Sequence, residues 1–260
     1  MMTFLICIVP VCPVRLEPTH RSEQTSQLLF GEMCELLEEK EDFFRVKVLY
    51  DHYEGWCQAT QLQEAENENI AKNILAGEWI NKVTINNLEM QVPFASSLAF
   101  LDNKNEKSEK NNIVYNGAFF YPDKNIITDD LVKKLAFTFI NTPYLWGGRS
   151  VFGIDCSGFT QLVFKCINIA LLRDAHQQAT QGEAVASLKQ VKCGDIAFFD
   201  NTAEKIIHVG ILLDSDTIIH AAGKVRIDTI DNAGIINSDT GKRTHRLKTI
   251  KRLIDSEHVN

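Results

Sequence analysis

The sequence predicts an α+β protein: a helix with a cysteine at its start, packed on an antiparallel sheet and preceded by two small β-barrels. Three observations lead there. Residues 4 to about 63 carry apolar runs at 33–37, 43–49 and 55–59, separated by charged or Gly-bearing turns at the spacing of barrel strands. The texture changes near residue 126, where Thr128 precedes the amphipathic run DDLVKKLAFTFI. A Gly-rich loop, YLWGGRSVFGIDCSGF, then leads through Cys156 into a helical pattern and a series of strands.

Each element follows from local chemistry. Residues 3–14 are almost wholly apolar, β-branched and broken by Pro10 and Pro13, which reads as an opening edge strand. A secretion signal is the competing reading, but it calls for a basic residue before the apolar run and a small-residue cleavage site after it. The first basic residue here is Arg15. Residues 64–125 repeat the strand texture more weakly, with the polar tract DNKNEKSEKNN as a solvated hairpin loop. Thr128 is an N-cap with acids in the first turn of a helix that ends before Pro143. Phe159, Leu162, Val163, Cys166, Ile167 and Ala170 share one face of a second helix. Strands are expected at 195–199, 208–213, 217–222 and 249–254, which gives domains at 1–63, 64–125 and 126–260.

Composition narrows the function. Hydrophobic residues at 45% and charged residues at 23% describe a globular chain. Twenty-seven Lys and Arg against 34 Asp and Glu give a net charge of −7, which argues against a nucleic-acid partner. No apolar run approaches the ~18 residues that cross a bilayer, so a soluble chain with no membrane partner is expected. Seven cysteines without paired spacing do not describe a disulfide framework. Cys7, Cys12, Cys34, Cys57, Cys166 and Cys193 read as small buried hydrophobes in a reducing compartment, and the cytoplasm is the expected address.

Cys156 stands apart. It lies where the loop turns into the helix, and there unpaired backbone N–H groups and the helix dipole favour thiolate over thiol. His208 opens one strand and His220 lies near the end of the next, with Asp214-Ser215-Asp216 between them. If those three residues form the hairpin loop, Leu213 pairs with Thr217 and Gly210 faces His220. The two histidines then sit diagonally on one face, within reach of each other. A two-residue loop would put them on opposite faces. Either histidine alone is more simply a hydrogen-bonded strand residue; both together, downstream of a helix-start cysteine, form a nucleophile, base and orienter.

PYLWGGRSVFGIDCSGF, CGDIAFF, HVGILL and TIIHAAG, in this order over residues 126–255, resemble the NlpC family of papain-like cysteine peptidases. The resemblance implies a papain-like catalytic domain with Cys156 as nucleophile, His208 as general base and acid, and His220 as the third polar residue. It also implies Tyr144 near the oxyanion. The Tyr144 hydroxyl and the Cys156 N–H could both donate to a tetrahedral oxygen. Residues 8–63, with VPVCPVRLEPTHRSEQTSQLLFGE and YDHYEGW, resemble the bacterial SH3-like module of one branch of the family. The second barrel matches no pattern closely. That branch is similar to gamma-D-glutamyl-L-diamino-acid endopeptidases, which cut peptidoglycan stem peptides carrying a free N-terminal L-Ala.

An ammonium taken into a closed groove needs an acid and hydrogen-bond acceptors. Asp155 and Asp174 are candidates in the catalytic half, and Glu23 and Tyr53 in the SH3-like module, with Glu32 or Glu54 as substitutes for Glu23. Each of these carboxylates could equally be solvated surface charge. Ser157 could contact substrate or serve the helix's first turn. Arg149 and Arg173 could hold the D-Glu carboxylate or, as is commoner, pair with protein acids. Trp146 and Phe152 are groove walls or core.

The expected activity is therefore hydrolysis of the gamma-D-glutamyl-diamino acid bond in muropeptides, in cell-wall peptide recycling, by a monomer that needs no metal or cofactor. Three alternatives compete. A non-catalytic wall-binding protein would have little reason to keep Cys156, His208 and His220 together. An amidase or acyltransferase could use the same scaffold. A structural zinc on those three residues lacks both a fourth ligand and paired spacing.

Overall fold

The computed structural model describes residues 2–65, 73–101, 107–108 and 113–254. The chain divides into two units, Met1–Pro122 with Trp146–Phe152, and Asp123–Leu145 with Gly153–Asn260.

The first unit opens with an SH3-like barrel. Its strands are β1 (Phe4–Cys7), β2 (Val11–Arg15), β3 (Gln24–Leu29), β4 (Met33–Lys40), β5 (Phe43–Val48), β6 (Glu54–Gln58) and β7 (Leu62–Ala65). They form one antiparallel sheet in the order β3-β2-β6-β5-β4-β1-β7. The expected single edge strand over residues 3–14 is two strands, β1 and β2, and neither lies at an edge. β2 meets β6 only where Arg15 opposes Trp56, so Pro13 interrupts no full ladder on that side. Alternation sends Cys7, Cys12, Cys34 and Cys57 into one interior with Val14, Leu28 and Val46. All seven cysteines of the chain are buried and free.

The second module comprises β8 (Leu75–Ala76), β9 (Ile80–Ile85), β10 (Leu88–Pro93), β11 (Lys107–Ser108), β12 (Ile113–Asn116) and β13 (Phe119–Phe120). Four of these make a sheet in the order β10-β9-β12-β11, and β13 pairs with β8. Its core joins Val83, Val92, Leu98 and Tyr115 to Ile6 and Phe30 of the first barrel. The charged tract of residues 102–112, read as a solvated loop, lies outside the described residues except for 107–108. The short strand β14 (Arg149–Ser150) completes this unit. There the Arg149 guanidinium is fully buried and holds both carboxylate oxygens of Glu32, at 2.9 and 3.1 Å.

The second unit holds α1 (Asp129–Phe137), β15 (Gly153–Ile154), α2 (Cys156–Cys166) and α3 (Ala175–Gln178), followed by seven sheet strands. These strands are β16 (Glu183–Ala184), β17 (Ile196–Asp200), β18 (Ile206–Leu212), β19 (Thr217–Ala222), β20 (Lys224–Asp231), β21 (Gly234–Ile236) and β22 (Arg243–Arg252). The order is β16-β22-β17-β18-β19-β20-β21, and β21 also pairs with β22. Thr128 caps α1 by accepting the Leu131 N–H at 3.1 Å. Every residue of α2 is buried, and the helix packs across β18 and β19. This is the papain-like arrangement of a cysteine-bearing helix on an antiparallel sheet. Among the described residues no helix is long and apolar enough to cross a membrane.

Candidate active site

Asp155 starts α2. Its carboxylate accepts the Gly158 N–H at 2.7 Å, which fixes Cys156 as the first helical residue. The same carboxylate is held by Arg173 through two bonds, of 3.1 and 2.6 Å. Ser157 Oγ accepts from Arg173 Nη1 at 2.8 Å and donates to Asp155 at 3.2 Å. Asp155, Ser157 and Arg173 therefore form a buried brace beneath the cysteine. Asp174 caps α3, where its amide donates to Gln177 Oε1 at 3.1 Å.

The register of β18 and β19 pairs Gly210 with His220, as a three-residue loop requires. His208 and His220 consequently share the face that α2 covers. Their rings meet, with His208 Nε2 2.8 Å from His220 Nδ1. Gly210 makes this possible, because a Cβ there would lie 2.8 Å from the Cβ of His220. His208 and His220 are 5% and 0% exposed. The Cys156 sulfur sits beside the backbone of Val209, next to His208 in the chain, and hydrogen bonding from Val209 and Ser157 pulls its pKa down.

That pull does not win. Burial, reinforced by the Asp155 charge, pushes the Cys156 thiol up to about 12 despite the help of Arg173. Burial and the neighbouring His220 and His245 push His208 well below its usual range. Burial therefore works against the thiolate that the helix position favours. The helix terminus offers dipole and N–H groups, but Cys156 is only 7% exposed and its desolvation acts against them. Both shifts favour the uncharged forms, thiol and imidazole, over the ion pair. Alkylation of Cys156 by iodoacetamide, followed by peptide mass spectrometry, should keep accelerating from pH 6 to pH 10. A plateau reached by pH 5 would instead show a preformed thiolate.

Tyr144 is anchored by its amide to the Gly223 carbonyl at 2.9 Å, at the turn out of β19. Burial and the nearby Cys156 and Asp155 raise its phenol pKa, so it stays a donor across the working pH range. In the first unit, exposed Glu23 accepts the Trp146 indole N–H at 2.6 Å, and half-buried Tyr53 packs on the barrel core. Glu32, a substitute considered for Glu23, is committed to Arg149, and Glu54 to Arg45 at the surface. Both arginines considered for a substrate carboxylate thus pair with protein acids.

Two residues escaped the sequence reading. Asp228 on β20 accepts from His220 Nε2 at 3.0 Å, and His245 on β22 stacks on His208 with centroids 4.1 Å apart at 23°. Burial and the neighbouring His220 lower the His245 pKa to about 4.

Comparison with known proteins adds a frame. Residues 141–244 match the NlpC/P60 family model, and residues 14–62 match the bacterial dipeptidyl-peptidase SH3 domain. A gamma-D-glutamyl-L-lysine dipeptidyl-peptidase of Bacillus cereus is 27% identical over 257 residues, covering 87% of this chain and 77% of its own. Its Bacillus subtilis namesake is 27% identical over 215 residues, covering 75% and 71%. The crystal structure of an NlpC/P60 family protein from Bacillus cereus is similar with a TM-score of 0.79 at 19% identity, covering 97% of this chain and 100% of the other. That last likeness concerns the fold alone.

Proposed function

We propose that this chain, a cysteine peptidase carrying an NlpC/P60 domain and a bacterial dipeptidyl-peptidase SH3 domain, hydrolyses the bond between gamma-D-Glu and the diamino acid of peptidoglycan stem peptides. The observation that carries the reading is the 2.8 Å bond between two buried histidines beside a helix-start cysteine. The names of the two Bacillus relatives support a gamma-D-glutamyl acyl group, a diamino acid as leaving group and release of a dipeptide.

In this reading His208 takes the Cys156 proton as the sulfur attacks the gamma-glutamyl carbonyl. The Tyr144 hydroxyl and the Cys156 N–H donate to the oxygen that becomes an oxyanion. The protonated His208 then gives its proton to the leaving amine, and water, deprotonated by His208, opens the thioester. His220 holds the His208 ring. Asp155, Ser157 and Asp174 shape the wall beside the nucleophile, and the braces on all three argue for a fixed surface over a mobile one.

A requirement for the free amine would make intact wall a poor substrate and trimmed fragments good ones, which fits recycling in the cytoplasm. Kinetics on L-Ala-gamma-D-Glu-diaminopimelate and its N-acetylated form test this. We expect the acetylated peptide to lose about 10–100-fold in kcat/KM, the scale of a lost charged hydrogen bond. Equal turnover of the two forms would remove amine recognition from the account.

A further inference from the structure

The two histidines are not the end of the polar chain. The second carboxylate oxygen of Asp228, Oδ1, accepts from Arg226 at 2.9 and 3.1 Å and from the Ser238 amide at 2.9 Å. Arg226 is itself tied to Asp239 at 2.8 Å. Asp228 is 1% exposed, so this clamp, and not solvent, compensates its charge. The remaining oxygen, Oδ2, lies 3.0 Å from His220 Nε2.

We propose that Asp228 is a positioning residue that dictates which nitrogen of His208 acts as the base. A carboxylate only accepts, so His220 Nε2 must carry a proton. A His220 ring that carries this one proton has a bare Nδ1, which can only accept. The 2.8 Å bond therefore requires the proton on His208 Nε2, and His208 Nδ1 is left bare. His245, stacked on His208, opposes a ring flip that would swap each nitrogen for a ring carbon and break the bond to His220.

In the reaction the S–H bond of Cys156 breaks and an N–H bond forms at His208 Nδ1. The imidazolium that results keeps donating from Nε2 to His220, which keeps donating to Asp228. No proton passes beyond His208, and the carboxylate stays ionised while its charge stabilises the cation through the intervening ring.

This inference rests on the catalytic reading above, and its test separates the two. Long-range proton–nitrogen NMR of the wild-type histidines reads tautomers without turnover. We expect protons on Nε2 of both His208 and His220, and a proton on His208 Nδ1 would overturn the proposal. The variant Asp228→Asn keeps the shape but can donate to His220 Nε2, which inverts both tautomers. Its kcat should fall about 10²-fold with KM nearly unchanged, less than the roughly 10⁴-fold seen where the acid touches the base directly. A kcat within twofold of wild type would overturn it as well. Failure of the peptidase reading would look different: an inactive wild type with the same tautomers.

Discussion

With glutamine at position 208, kcat/KM is expected to fall by about 10³–10⁴-fold while KM changes little. The size follows from the resting state of the sulfur. Burial pushes the Cys156 thiol up and opposes a free thiolate, so attack depends on a base that removes the proton as the C–S bond forms. His208 must then supply that proton to the leaving amine, and glutamine can do neither. Glutamine still fills the space between Phe199 and His220, so circular dichroism should be unchanged. Steady-state kinetics at saturating and limiting peptide separate kcat from KM. A loss below tenfold would mean that another group is the base.

The second large effect is on stability. Arg149→Met should destabilise the first unit by about 3–5 kcal/mol, the cost of breaking a buried ion pair from one side. Arg149 donates to Glu32 through two bonds and to the Gln27 carbonyl at 2.6 Å, and Glu32 and the electrostatic neighbour Asp51 are themselves buried. Without this cation Glu32 would be left as a buried carboxylate that has lost its guanidinium partner. Urea unfolding of wild type and variant checks the size. A deficit below about 1 kcal/mol would mean that the pair contributes little to stability.

Much of the site was legible because strand parity is strict. Three residues between Leu213 and Thr217 put His208 and His220 on one face, and the structure has that register. Helix α2 was legible from its apolar spacing. Asp228 was not, because β20 inverts the usual pattern. Ile227 is 39% exposed where Asp228 is buried, so an alternating reading of KVRIDTID turns the acid outwards. His245 was hidden in the polar run GKRTHRLKTI, which offers no apolar face to mark a strand. The helix position of Cys156 was legible, whereas its burial, which opposes ionisation, was not. Asp155 carried a cap signal, an acid three residues before Gly158, that competes with its reading as a substrate acid.

The most direct test is the mass of the products released from L-Ala-gamma-D-Glu-L-lysine and from its diaminopimelate counterpart by wild type and by Cys156→Ala. The account predicts L-Ala-D-Glu and the free diamino acid from wild type, and intact peptide from the variant. Cleavage at the L-Ala–D-Glu bond, or the same products from the variant, would contradict it.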